Sequence, residues 1–208
     1  MSTLSDRFCI QTKGEKKPAL SAQTVLACDQ NKNNGCKGGS VTSVFDYAKK
    51  QGLVEESCLP FTGDPEVICP TTLGTCDKYH VTDYCVTSGE EGIKREIFKN
   101  GPVIAVIPIY RDFLVYKDGV YQTIEGTSKF HSGHALKVIG WDKTEKGEKY
   151  WIVENSWREG WGQNGLAYVA IGQKNLYIDE FVIAPHPLID KADAEAEDLP
   201  DTERSIYY

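Results

Sequence analysis

Two apolar runs of this chain lie against residues able to hold and direct a proton. His134 stands in FHSGHALKVIGW (130–141), and Asn155 closes the run in YWIVENSW (150–157). A neutral imidazole takes a proton from a thiol and holds the resulting ion pair, lowering the thiol's pKa by several units. An asparagine side-chain oxygen accepting from the other ring nitrogen fixes the tautomer. Together the two form the base and the orienter that a cysteine nucleophile needs. A lone histidine beside an apolar run is more often structural; Asn155, in a separate β-rich run able to lie alongside, shifts the reading toward catalysis. Trp157 and Trp161 stand close enough in sequence to shield such a bond from water.

The elements that must position these residues change character along the chain. Leu4 and Phe8 are one helical turn apart, and Ser21 can cap AQTVLA. SVTSVFDYAKKQG carries Val41, Val44, Phe45 and Ala48 on one face and stops at Gly52. Residues 53–87 read as loop, with Pro60, Pro65 and Pro70 among four cysteines. Ser88 and Glu91 make a capping box for GEEGIKREIFKNG, ended by Gly101-Pro102. VIAVIPIY, HALKVIGW, KYWIVENSW, LAYVAIG and DEFVIAP are short β-rich runs. Helices first and strands second predict an α+β fold with a helical lobe and a sheet or barrel lobe.

The chain is 208 residues long with a net charge of −7, which argues against nucleic acid. No apolar run approaches the ~18–20 residues of a membrane span, so no membrane insertion is expected. The charge is concentrated after Pro187, where LIDKADAEAEDLPDTERSIYY reads as a solvated acidic tail (188–208), with docking through Tyr207 and Tyr208 as the other option. Seven cysteines suit an oxidising compartment, and an odd number leaves at least one unpaired within the chain. No secretory signal precedes them, from which a missing natural N-terminus is expected.

GCKGG (35–39), GHALKVIGW (133–141), YWIVENSW (150–157) and GWGQNG (160–165) together resemble the papain family of cysteine peptidases. LSDRFCIQT (4–12), NGPV (100–103) and DFLVYKDGVYQ (112–122) narrow the likeness to its cathepsin B-like members. The resemblance implies a two-lobed papain-like domain over 1–187 with a cleft between lobes, His134 as base and Asn155 as orienter. It implies that Gly38 and Gly39 hydrogen-bond an extended substrate backbone, that Gly133 lines the opposite wall, and that Phe181 lies near the floor of the main specificity pocket. It also implies disulfides Cys28–Cys69 and Cys58–Cys76. GDPEVICPTTLGTC is short and has no histidine where cathepsin B carries a blocking loop, which favours an endopeptidase cleft.

The nucleophile of the family stands in C-G-S-C-W, roughly 130–150 residues before its histidine. Counting back from His134 reaches no cysteine in this chain, and Cys9 matches a structural cysteine instead. The oxyanion-hole glutamine lies further upstream still. The chain as written is therefore expected to be inactive, with an incomplete left lobe. Two readings follow: part of an active, lysosomal or secretory peptidase acting on peptides or proteins, or a non-catalytic subunit, cytoplasmic or assembly-bound, whose left lobe a protein partner covers. No cofactor or metal is expected. The competing reading is a zinc module using Cys69, Cys76, His80 and Cys85, although tight C-x₂₋₄-C knuckles are missing. His131 and His134 lack a third ligand, and His80 and His186 read as surface residues.

Overall fold

In the computed structural model, which describes residues 1–29, 33–64, 66, 68–123 and 128–189, the helices follow the apolar spacing. Leu4 and Phe8 are both buried on α1 (Ser2–Gln11). Ser21 caps α2 (Ala22–Cys28), its hydroxyl accepting from the Gln23 N–H at 3.1 Å. α3 (Val41–Gln51) buries Ser43, Phe45 and Ala48, while Val41 and Val44 are only half-buried. Its end is set by Gly52, whose φ of 74° suits glycine and whose N–H returns to the Ala48 carbonyl. Pro65 and the acidic tail from residue 190 lie outside the described residues.

The chain divides into two compact units, Met1–Tyr84 together with the chain from Pro185, and Cys85–Ala184. The first is the helical one. Its loops are held by two disulfides, Cys28–Cys69 with Cα atoms 4.8 Å apart and Cys58–Cys76 at 6.3 Å. Val54, Leu59 and Leu73 pack against Cys28, Cys58 and Cys76, so the bridges are part of a small apolar core. The Arg7 guanidinium is fully buried, with Nη1 donating to the Pro185 carbonyl at 2.9 Å.

The strands are β1 (Val81–Thr87), β2 (Val103–Tyr110), β3 (Val120–Tyr121), β4 (Phe130–Lys143), β5 (Lys149–Glu154), β6 (Leu166–Ala170) and β7 (Val182–Pro187). They form one mixed sheet in the order β1-β7-β2-β4-β5-β6-β3, with α4 (Glu90–Asn100) and the short α5 (Arg111–Leu114) between strands. The α+β reading holds. β1 corrects the reading of 53–87 as loop: VTDYCVT has β-branched and aromatic residues without strict alternation, and its burial pattern, with one buried residue among half-buried and exposed ones, is that of an edge strand. The Ser88–Glu91 box does not form either. Gly89 is the N-cap of α4, with φ 75° and no side-chain bond, and Glu90 and Glu91 in the first turn complement the helix dipole.

β4 positions the site. It pairs antiparallel with β2 on one side, placing Ile107 opposite His134, and with β5 on the other, placing Lys137 opposite Glu154. Beneath it Trp151, Ile107, Leu136, Val138 and Val153 are buried in the core of the second unit.

Candidate active site

The strand register supplies the geometry. Asn155 follows the last residue of β5, and its backbone N–H donates to the Gly165 carbonyl at 2.9 Å, holding it where the ladder ends. Continuing the Lys137–Glu154 register by three residues puts Trp157 opposite His134. The side chains meet accordingly. His134 Nε2 lies 2.9 Å from Asn155 Oδ1, and the Trp157 indole stacks on the imidazole with ring centroids 4.9 Å apart and planes at 26°.

The same oxygen settles the tautomer. Asn155 Oδ1 also accepts from the Ser156 backbone N–H at 2.8 Å, so that atom is the oxygen and not the amide nitrogen. Its bond to Nε2 then requires the proton on Nε2, leaving the Nδ1 lone pair free to take a proton. Among the described residues Nδ1 has no hydrogen-bond partner. Asn155 is 9% exposed, and its Nδ2 is buried without an acceptor. Its amide is thus held by its oxygen alone.

Around this pair stands an aromatic cluster. Trp157 meets Trp161 edge-on at 5.2 Å and Phe113 at 6.0 Å, and Trp161 packs on Phe113 at 5.0 Å. Trp161 Nε1 donates to the Leu114 carbonyl at 3.1 Å and reaches the Phe113 carbonyl at 3.3 Å, fixing the indole on α5. Phe113 and Tyr116 were not singled out in the sequence. The aromatic spacing in DFLVY was the available signal, since residues three apart share a helix face.

The other expected site residues fall in two places. Gly133, beside His134, is exposed, and a Cβ there would meet nothing within 4 Å. Phe181 is 46% exposed in the second unit and has no described hydrogen bond or ring contact with the His134 group. Gly38 and Gly39 belong to the first unit and are exposed. Gly38 has φ 105°, a conformation natural to glycine, and its carbonyl accepts from the Asn34 N–H at 2.9 Å. Gly39 is pressed against the Asn33 side chain, whose Oδ1 accepts from the Ser40 N–H at 2.9 Å. With Cys69 and Cys76 committed to disulfides, the zinc set that included them does not form. Cys9, Cys36 and Cys85 are in neither disulfide. His80 and His186 are half-buried rather than on the open surface.

The family model described as "Papain family cysteine protease" matches residues 1–186. A gut-specific cysteine proteinase of Caenorhabditis elegans is 35% identical over 87% of this chain and 62% of its own length. The tubulointerstitial nephritis antigen of Bos taurus is 32% identical over 92% of this chain and 47% of its own. The chain thus spans less than two thirds of the length of these curated relatives. A solved structure, procathepsin B S9 from Trypanosoma congolense, superposes with a TM-score of 0.79 at 32% identity, covering 90% of this chain and 66% of that one. The chain belongs to the papain family of cysteine proteases and is cathepsin B-like within it.

Proposed function

We propose that this stretch supplies the base half of a thiol endopeptidase site, and that the 208 residues by themselves hydrolyse no peptide bond. His134 is the general base through Nδ1, Asn155 holds its tautomer, and Trp157 and Trp161 keep water from their bond. In the first unit Gly38 and Gly39 are the backbone contacts for an extended peptide, and in the second unit Gly133 is a substrate contact and Phe181 belongs to the specificity pocket. The observation that carries the reading is the 2.9 Å bond from Nε2 to an oxygen whose identity the Ser156 N–H fixes. The thiol it would serve is not among the seven cysteines here. Four are bridged, and Cys9, Cys36 and Cys85 stand in no C-G-S-C-W context. Without a nucleophile the covalent route is closed. The two disulfides support maturation in an oxidising compartment, lysosomal or secretory.

A second reading, a non-catalytic subunit whose first unit is covered by a protein partner, is favoured by one observation. A relative named as an antigen and not as a peptidase matches at 32% identity over 92% of this chain. Both readings are tested by incubating the purified chain with peptidyl fluorogenic substrates and an epoxide thiol reagent. Neither turnover nor labelling is expected. Thiol-dependent turnover abolished by His134→Ala would show that one of these seven cysteines is the nucleophile and overturn the proposal.

A further inference from the structure

We infer that Tyr116 is a positioning residue for His134, acting through the loop that carries the two tryptophans; this rests on His134 being the base. Tyr116 is 8% exposed and lies just after α5, packed on Trp161, which in turn packs on Trp157. Its phenol oxygen is saturated. It donates to the Gly119 carbonyl at 2.7 Å, and it accepts from Gln163 Nε2 at 2.9 Å and from the Tyr168 backbone N–H at 3.2 Å. One hydroxyl offers one donor and two acceptor sites, so every one is used.

Those three partners belong to three pieces of chain. Gly119 precedes β3, Tyr168 is in β6, and Gln163 sits in the 156–165 loop between Asn155 and β6. The loop is also pressed onto the phenol ring. A Cβ built on Gly162 would come within 3.3 Å of a Tyr116 ring carbon and would strike the Leu166 carbonyl, so only glycine at φ 58° lets the chain pass. Gln163 and Leu166 exchange backbone hydrogen bonds at 2.9 and 3.1 Å, and Gly165 returns its N–H to Trp161 at 2.8 Å and its carbonyl to Asn155. Tyr116 is therefore the post around which this loop is wound. From it the contacts run unbroken through Trp161 (5.5 Å), Trp157 (5.2 Å) and the His134 ring (4.9 Å).

The consequence concerns the imidazole and not merely stability. With the Gln163 bond removed, the loop gains freedom at Trp157 and at the Gly165 carbonyl that holds the Asn155 backbone. Both the ring stack and the Nε2–Asn155 bond then loosen, and the preference for the Nε2–H tautomer falls. The tautomer preference rests on the Nε2–Asn155 bond, and losing it, at the worth of one ordinary hydrogen bond, changes the ratio by about fivefold, which bounds the effect.

The test uses the intact ¹⁵N-labelled chain and imidazole nitrogen–proton correlation spectra, with His134 assigned by His134→Gln. Tyr116→Phe keeps the ring and removes only the hydroxyl. It should lower the Nε2–H to Nδ1–H ratio of His134 by up to about fivefold and reduce the upfield ring-current displacement of its carbon-bound protons. Tyr79→Phe is the control, since the Tyr79 hydroxyl bonds Glu55 at 2.6 Å within the first unit and belongs to none of the ring contacts around Trp161. It should leave the His134 signals in place. If Tyr116→Phe does not fold, Gln163→Met, which deletes the amide donor alone, should move His134 in the same direction. A folded Tyr116→Phe or Gln163→Met chain with wild-type His134 signals overturns the inference. A wild-type His134 already in the Nδ1–H form refutes the base assignment instead, which separates the two failures.

Discussion

Replacing Asn155 by alanine should leave stability almost unchanged, although the residue is buried at 9% exposure. The side chain makes two hydrogen bonds, from His134 Nε2 at 2.9 Å and from the Ser156 N–H at 2.8 Å. Each is worth about 1 kcal/mol net. Ser156 is exposed and His134 half-buried, so both donors freed by the substitution can turn to water. Against that loss stands the amide nitrogen, buried without an acceptor. Removing such a group relieves a penalty of about 1–3 kcal/mol. The two effects nearly cancel, and Asn155→Ala should unfold in urea within about 1 kcal/mol of the parent chain. Leu136→Ala, on the adjacent strand β4 and 2% exposed, should by contrast cost about 2–5 kcal/mol. A residue that does so little for stability yet fixes an imidazole is placed for orientation. A loss above about 3 kcal/mol on Asn155→Ala would mean that Nδ2 is satisfied and that the account of this amide is wrong.

Two further outcomes follow from the charge network and the bridges. Lys149 donates to both carboxylate oxygens of Glu90, at 2.8 and 3.1 Å, and Lys94 reaches Oε1 at 2.5 Å. The Lys149 bond, then that of Lys94, holds the Glu90 pKa below its ordinary value. A depressed carboxylate contributes stability that is present above the unfolded pKa of about 4.3 and is lost as pH falls through that region and below it. Thermal unfolding between pH 6 and 3 should therefore decline less steeply for Glu90→Gln, and identical slopes would remove this contribution. For the disulfides, the loops close over separations of 41 and 18 residues. In the chain-entropy account they contribute about 4 and about 3 kcal/mol. The Cys28→Ser/Cys69→Ser pair should thus lose more stability than Cys58→Ser/Cys76→Ser, and non-reduced peptide mapping should find only these two links. A Cys9–Cys36 link would contradict the pairing.

Much of the fold was legible because hydrophobic period follows burial. β2, β4, β5, β6 and β7 were each marked by a dense β-branched or aromatic run, and Leu4 with Phe8, and Phe45 with Ala48, marked helix faces. β1 was not, because an edge strand without strict alternation looks like loop when prolines and cysteines surround it. At α4 the sequence offered Ser88 with Glu91 as a box, but the turn at Gly89 takes a positive φ that serine at the cap would not supply. His134 and Asn155 were readable as types, and their meeting was not. It depends on the β4–β5 register and on where that ladder ends, which only pairing decides. The roles of Phe113 and Tyr116 were hidden for the same reason. An aromatic in the core and an aromatic supporting an indole have the same sequence signature.

The account turns on which nitrogen of His134 carries the proton. Direct detection of the ¹⁵N-labelled imidazole in the unmodified chain at neutral pH measures it. The geometry predicts a protonated Nε2, engaged with Asn155, and a bare Nδ1 with the shift of an unprotonated ring nitrogen. A proton found on Nδ1 would mean that Asn155 does not orient this ring, and that His134 is not held as the base of a thiol site.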